Sequence, residues 1–287
     1  MSTKAVDIQG NSLPVREFKL EWMAANPSIC MIAKRGSGKS YVCRSILNHF
    51  KHLPGGMIIA PTDRMNTFYG KFFPETYIHY QYQSEIIEKL LFRQKIMIEK
   101  MKKKYKEGKK CDPRTFLIMD DCLSSKGTWA KDQPVMQLFF DGRHYQIMYI
   151  LTMQFPLGIS PELRCNFDYI FLLAEDFTSN QKRLYDHYAG MFPDLNSFKQ
   201  VFKTLTDDYG CMVIVNRGAN KNFLEKVFWY RANEEHIDKV GNNQFNKFHK
   251  NNYDPKWRQK ENTFNEDKYF NRGKKARIVV DKITSGK

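Results

Sequence analysis

The chain has 287 residues, 42% of them hydrophobic and 14% aromatic, and it carries a formal net charge of +15. This composition indicates a globular rather than a disordered chain, and the length suits one α/β domain with appendages or two small domains. The positive charge favours an anionic partner, either nucleic acid or a membrane surface. The apolar runs are too short to span a membrane and the N-terminus lacks the apolar segment of a signal peptide, so we expect no membrane span and an intracellular protein.

Six short apolar runs predict β-strands, and most are continuously apolar, which is typical of strands covered on both faces. They lie at residues 28–33, 56–61, 115–120, 146–154, 169–174 and 211–216. Helical patterns separate them, at residues 39–52, 84–107, 132–143, 178–188 and 196–206. This alternation predicts an α/β fold with a mostly parallel central sheet flanked by helices.

The composition divides the chain into three parts. Residues 1–27 precede the first predicted strand and form an N-terminal segment, and residues 28–232 contain the whole alternating pattern. Beyond this point Asn, Lys, Tyr and Trp dominate and the apolar periodicity fades. We therefore predict that residues 233–287 form a basic, loosely ordered C-terminal tail with room for one short helix.

The positive charge is concentrated in two places. Residues 93–110 contain nine basic and two acidic side chains, and residues 216–287 contain 17 basic and nine acidic ones. The lysine-rich stretch 100–110 is either an ordinary solvated helix end or a contact for the DNA backbone. In the tail, rings alternate with basic residues, which suits nucleic acid or a protein partner, with plain disorder as the third reading. These rings belong to Phe245, Phe248, His249, Tyr253 and Trp257.

The segment after the first predicted strand matches GxxxxGK[ST] except at its first position, where alanine replaces glycine. It consists of Ala33, Lys34, Arg35, Gly36, Ser37, Gly38, Lys39 and Ser40. The two glycines let the loop wrap its backbone N–H groups around phosphates. Lys39 is predicted to reach the β- and γ-phosphates of ATP, and Ser40 to present its hydroxyl to Mg²⁺. A chance glycine-rich turn is the alternative, but the strand–loop–helix context favours a phosphate-binding loop.

A pair of carboxylates closes the third predicted strand, in the run FLIMDD. A buried strand that ends in two acids is costly unless a cation or a proton compensates. We predict that Asp120 holds Mg²⁺ through water and that Asp121 orients or deprotonates the attacking water. The pair follows the phosphate-binding loop by about 80 residues, with one strand and a long helix between them, which is the expected order.

Three polar residues near the fourth predicted strand complete the candidate site. Gln154 ends that strand, where open α/β sheets bind ligands, and is predicted to sense or position the γ-phosphate and the water. Arg143 precedes the strand and Arg164 follows it. Either arginine could serve a neighbouring subunit as the finger that stabilises the transferring phosphate, and we favour Arg143. Ordinary hydrogen bonding or surface salt bridges are the alternative roles for all three.

Together these motifs resemble those of the genome-packaging ATPases of nucleocytoplasmic large DNA viruses, in the FtsK–HerA superfamily of P-loop ATPases. The resemblance covers residues 16–232. It rests on PSICMIAKRGSGKSYVCRSIL, IIAPTDRMNTFYGKFFP, FLIMDDCL and GRHYQIMYILTMQFPLGISPELRCNFDYIFLL. It implies that residues 28–232 are a P-loop ATPase domain that uses ATP and Mg²⁺, with Asp120 at the metal, Asp121 as catalytic carboxylate and Gln154 as sensor.

The resemblance also implies partners and a location. We expect a homo-oligomeric ring that threads double-stranded DNA into a preformed capsid by gripping the backbone, beside a capsid or portal-vertex protein. The place would be the host cytoplasm, in a viral factory, or the virion. Two departures stand out: Ala33 replaces a glycine, and Asp121 is shorter than the glutamate common among such motors. The alternatives are a small-molecule or nucleoside kinase and a non-hydrolysing, nucleotide-gated scaffold in virion assembly.

Overall fold

The computed structural model describes residues 3–8, 11–122, 129–218, 222–233, 236–237 and 239–258. Its strands are β1 (Thr3–Ile8), β2 (Asn11–Arg16), β3 (Ser28–Ile32), β4 (Gly56–Ile59), β5 (Ile78–His79), β6 (Thr115–Asp120), β7 (Ile147–Met153), β8 (Tyr169–Leu173), β9 (Gly210–Val215) and β10 (Val227–Arg231). Its helices are α1 (Lys39–His49), α2 (Asp63–Asn66), α3 (Ser84–Lys106), α4 (Gln133–Asp141), α5 (Pro161–Arg164), α6 (Thr178–Tyr188), α7 (Leu195–Leu205), α8 (Phe223–Lys226) and α9 (Asn243–Asn252). All six predicted strands and all five predicted helices are present, with small shifts at their ends.

The central sheet has eight strands in the order β10-β9-β8-β3-β7-β6-β4-β5. Neighbours from β8 across to β5 pair in parallel, and β9 runs antiparallel to both β8 and β10. The predicted fold class, a mostly parallel sheet flanked by helices, is confirmed. The reversal at β9 has a simple cause: two helices, α6 and α7, follow β8 and return the chain to the edge that it left.

Both faces of the sheet are covered, which explains why its strands are continuously apolar. All five residues of β3 are buried. Because side chains alternate along a strand, Ile29 and Met31 pack into one core and Cys30 and Ile32 into the other. Helix α1 covers the first face and α3, α4, α6 and α7 the second. Strand β3, which leads into the predicted phosphate-binding loop, thus lies between the two apolar cores.

The N-terminal segment contains a hairpin that the sequence did not predict. Strands β1 and β2 pair antiparallel and lie against β10, where the backbone N–H of Phe18 donates to the carbonyl of Trp229 at 2.7 Å. The ammonium of Lys4 lies 4.9 Å from the centre of the Trp229 ring. The domain boundaries at residues 27 and 232 stay a prediction.

Part of the predicted tail lies against the edge of the sheet. Phe245 of α9 stacks on Tyr77 with ring centres 4.0 Å apart, and Arg258 forms an ion pair of 2.7 Å with Glu75. Residues 259–287 lie outside the described residues, so the loose order predicted for the tail stays a prediction. Across the described ranges, no helix is both long and apolar enough to cross a bilayer.

Candidate functional site

The loop between β3 and α1 has the geometry of a phosphate cradle. Gly36 and Gly38 adopt left-handed backbone conformations, with φ of +75° and +93°. Gly38 is the N-cap of α1, and its carbonyl accepts from the N–H groups of Tyr41 and Val42 at 3.0 and 3.1 Å. The first N–H groups of a helix have no partner within the helix and carry partial positive charge. The loop therefore presents donors suited to an anion.

The alanine at the first loop position is explained by its backbone. Ala33 is buried, its φ is not positive, and its N–H donates to the carbonyl of Met153 at 2.9 Å. Glycine is required where φ is positive or where space is lacking, and neither holds here. Ser37 also faces inward, and its hydroxyl donates to the Lys34 carbonyl at 2.7 Å. Lys34 forms an ion pair with Asp176, which follows β8.

Asp120 is a buried carboxylate with three partners. It ends β6 and is 5% exposed. The Lys39 ammonium lies 3.1 Å from its Oδ1, and the Thr152 hydroxyl donates to the same oxygen. The Tyr69 hydroxyl donates to Oδ2 at 3.1 Å. Burial, and then the charge of Asp120, raise the pKa of Tyr69 well above its usual value, so Tyr69 stays a donor.

Asp121 reaches the same cavity as Asp120 because the strand ends between them. Successive side chains of a strand point to opposite faces. The backbone of Asp121, however, has a left-handed conformation, with φ of +53°, so the strand alternation does not apply to it. Its backbone N–H donates to the Thr152 hydroxyl at 3.1 Å. The side-chain amide of Gln154 donates to its carboxylate at 2.5 Å. The adjacent strand tips thus hold both carboxylates in fixed positions.

These groups line one cavity of about 890 Å³ at the carboxyl edge of the sheet. The predicted site residues that line it are Lys34, Arg35, Gly36, Gly38, Lys39, Ser40, Asp120, Asp121 and Gln154. Ala33 and Ser37 support the loop from within. A cavity of this size suits a nucleotide.

The donor set fits Mg²⁺. Ser40 and Asp120 bring a hydroxyl and a carboxylate to the same cavity, and Mg²⁺ prefers oxygen ligands. The described residues contain no cluster of three or more His, Cys, Asp or Glu side chains that could enclose an ion. Mg²⁺ is commonly held by one or two protein oxygens together with water and substrate phosphates, so a full protein cage is unnecessary.

Neither predicted arginine lies in the cavity of its own chain. Arg143 follows α4 at the opposite, amino edge of the sheet, where it forms an ion pair of 2.9 Å with Asp168. Its side chain is 63% exposed. Arg164 is buried, and its guanidinium lies 5.6 Å from the centre of the Tyr188 ring. The finger assignment stays a prediction, and the exposure of Arg143 suits contact with a second molecule.

Sequence reasoning missed several residues at the site, among them Thr152, Tyr69, Tyr209 and Arg231. Thr152 had a usable signal, a hydroxyl in an apolar strand two residues before Gln154. It lies directly opposite Asp120 in the pairing of β7 with β6. Tyr69 comes from a loop without periodicity and gave no signal. Tyr209 and Arg231 line the cavity from the β9 and β10 side, and β10 was not predicted.

Comparison with known proteins identifies the family. Residues 15–170 match the family described as Poxvirus A32 protein. Protein L437 of Acanthamoeba polyphaga mimivirus is 48% identical over 247 residues, which cover 86% of this chain and 87% of that protein. Protein 088R of Invertebrate iridescent virus 3 is 32% identical over 241 residues, covering 79% and 88%. The chain belongs to the poxvirus A32 family, the poxvirus packaging ATPase family, which confirms the resemblance found in the sequence.

Solved structures agree in fold. The genome packaging NTPase B204 of Sulfolobus turreted icosahedral virus 2, in complex with ATP-gammaS, has a TM-score of 0.51 and 14% identity over 73% of this chain and 98% of that one. B204, the DNA-packaging ATPase from Sulfolobus Turreted Icosahedral Virus, has a TM-score of 0.52 and 15% identity, covering 74% of this chain and 100% of that one. At such low identity the likeness concerns the fold alone.

Proposed function

We propose that this member of the poxvirus A32 family is a Mg²⁺-dependent ATPase that drives double-stranded DNA into a viral capsid. One observation carries the proposal: Lys39, Asp120, Asp121 and Gln154 meet in a single cavity at a phosphate-binding loop. The solved B204 structures, one of them with ATP-gammaS, share this fold and support nucleotide as the ligand.

ATP binding uses the loop and its lysine. The backbone N–H groups of residues 36–40 face the β-phosphate, and the ammonium of Lys39 moves from Asp120 toward the β- and γ-phosphates. Exchange of one anionic partner for another keeps this largely buried ammonium paired throughout. Ser40 and Asp120 would hold Mg²⁺, which would supply positive charge to the phosphates.

Hydrolysis uses Asp121 and Gln154. The carboxylate of Asp121 accepts a proton from the water whose oxygen attacks the γ-phosphorus, while the bond from that phosphorus to the β–γ bridging oxygen breaks and ADP leaves. Gln154 donates to that carboxylate and so fixes its orientation. The shorter reach of aspartate is offset by its anchoring, since both its backbone and its side chain are hydrogen-bonded to the tip of β7. The four residues together supply positioning and electrostatic stabilisation, the main contributions in phosphoryl transfer.

The DNA-facing part of the proposal rests on charge. Lysines in the stretch 100–110 are mostly exposed at the end of α3, at the amino edge of the sheet. Duplex DNA is gripped through its phosphates by such groups without base readout. We propose a homo-oligomeric ring, a capsid or portal-vertex protein as partner, and work in the host cytoplasm or the virion.

The first test is ATP hydrolysis with and without long double-stranded DNA, with Lys39→Ala as the blank. Strong stimulation by duplex DNA that disappears in the blank is the expected result. Hydrolysis that ignores DNA, together with phosphorylation of an added nucleoside, would favour a kinase. Tight ATP binding without turnover would favour the scaffold.

A mixing experiment tests the ring and its finger. We expect Arg143→Ala and Lys39→Ala to be inactive alone, because the first lacks the finger and the second the nucleotide site. Mixed subunits should regain part of the activity, since an Arg143→Ala cavity can receive the arginine of a Lys39→Ala neighbour. Absence of any recovery in confirmed mixed oligomers would refute a finger supplied in trans.

A further inference from the structure

A tight turn between α7 and β9 holds two consecutive residues in the left-handed region. Asp208 has φ of +50° and Tyr209 has φ of +58°. The next residue, Gly210, is closely packed, because a Cβ there would lie 2.4 Å from the carbonyl oxygen of Leu205. Non-glycine residues rarely adopt this conformation, and where they do the cost is often linked to function. The uncommon backbone conformation of this turn therefore points to a functional role for Tyr209.

The turn places the Tyr209 ring at the rim of the nucleotide cavity. Tyr209 is 63% exposed, lines the cavity and lies beside the phosphate-binding loop. A Cβ on Gly38 would be 3.5 Å from the ring. The Asp208 carboxylate forms an ion pair of 2.6 Å with Arg231 at the end of β10, which braces the turn against the sheet. An aromatic side chain is thus held open to solvent next to a phosphate cradle.

The order of the strands separates the two ends of the cavity. On one side of β3 lie β7 and β6, which carry the carboxylates and Gln154. On the other side lie β8, β9 and β10, which carry Tyr209 and Arg231. If the γ-phosphate meets Asp121, the rest of the nucleotide extends away from the carboxylates, toward β9.

Tyr41 also lines the cavity, but it is less suited to stack on a ring of the ligand. Tyr41 packs near Phe68, with ring centres 6.5 Å apart, and the Arg44 guanidinium lies 4.7 Å from its centre. Among the described residues, Tyr209 has no such ring or cation partner. A face of the Tyr209 ring is therefore available to a ligand.

We propose that Tyr209 is the stacking platform for the base of the bound nucleoside triphosphate. The inference rests on the proposed function, because it requires that the cavity hold a nucleotide. Every base has a π-face, so stacking holds a base firmly without reading its edge. Affinities for ATP, GTP and CTP should accordingly agree within about tenfold, in the manner of sequence-tolerant stacking.

The experiment compares two ligands on the full chain with Mg²⁺: ATP, which has a base, and tripolyphosphate, which has none. Calorimetry should show that Tyr209→Ala weakens ATP binding by about 5- to 100-fold, the range of one stacking contact. Binding of tripolyphosphate should stay unchanged. Tyr209→Phe should bind both ligands as the wild type does, and Tyr41→Ala is the matched control on the other side of the cavity.

Three outcomes decide the matter. Unchanged ATP affinity in Tyr209→Ala, or an equal loss for tripolyphosphate, would overturn the stacking role while leaving the ATPase proposal intact. Loss confined to ATP in a protein that never hydrolyses it would support stacking and refute the ATPase. Tyr209→Leu, which keeps apolar bulk without a π-face, guards against a folding defect. Its melting temperature should match that of the wild type while its ATP affinity falls.

Discussion

The hydroxyl of Thr152 is the most informative atom to remove. It donates to the Asp120 carboxylate and accepts from the backbone N–H of Asp121, so a single side chain positions both acids. Thr152 is fully buried in β7. Thr152→Val keeps the branched shape and removes only the hydroxyl, whereas Thr152→Ser keeps the hydroxyl and removes one methyl group.

The size of the effect follows from the two hydrogen bonds. A bond to a charged group contributes about 1.5–3 kcal/mol, and an N–H left without a partner costs about 1–3 kcal/mol. Part of this loss is offset in Thr152→Val, because the wild-type protein spends about 1–3 kcal/mol on burying the hydroxyl and the variant does not. A net loss of about 2 kcal/mol in carboxylate positioning corresponds to roughly a 30-fold fall in kcat. Thr152→Ser should change kcat by less than about threefold and cost about 1 kcal/mol of stability for the lost methyl group.

The assay is steady-state phosphate release, with unfolding in denaturant followed by tryptophan fluorescence. We expect the valine variant to lose kcat with little change in KM, because substrate contacts do not involve Thr152. Equal kcat in the valine and serine variants would refute the positioning role. A loss of kcat that follows stability in both variants would assign Thr152 to packing alone.

Three further predictions concern the carboxylate of Asp121, the phosphate-binding loop and the lysines of α3. Asp121→Asn should keep ATP binding and lower phosphate release by at least about 100-fold, and normal hydrolysis would contradict its role as base. Gly38→Ala puts a Cβ on a backbone with φ of +93°; calorimetry and thermal unfolding should show weaker ATP binding and a cost of about 1–2 kcal/mol. Glutamate at Lys102, Lys103 and Lys106 should weaken duplex DNA binding and lower its salt slope by about one for each DNA phosphate that is no longer neutralised, whereas an unchanged slope would exclude this surface.

The sequence was sufficient to predict the site residues that lie next to a regular strand or loop pattern. The strand before the loop, the glycines of the loop and the apolar run before Asp120 are all local signals, and each predicted element is present. Gln154 was predictable for the same reason, because the carboxyl ends of neighbouring parallel strands meet at one edge. Once the order of strands is guessed correctly, the main polar residues of the cavity follow.

What the sequence did not reveal depends on contacts between distant segments. Tyr69 reaches Asp120 from a loop 51 residues earlier in the chain. Tyr209 depends on a reversal at β9, which arises because two helices rather than one follow β8. Strand β10 reads as VFWYR, a run that ends in a charge, and its pairing with β9 is set by tertiary structure. Local pattern contains no information on such pairings.

The position of Arg143 follows from the length of one strand. Strand β7 has seven residues, which at about 3.3 Å each span roughly 23 Å between Arg143 before it and Gln154 after it. An arginine side chain cannot cover that distance, so Arg143 can act on a nucleotide only in a neighbouring copy. Helix α3 similarly joins the two edges, since its 23 residues extend about 34 Å at 1.5 Å each. The buried residues of α3 all lie in its first half, so the lysine surface belongs to the exposed end of the helix, at the opposite edge of the sheet from the carboxylates.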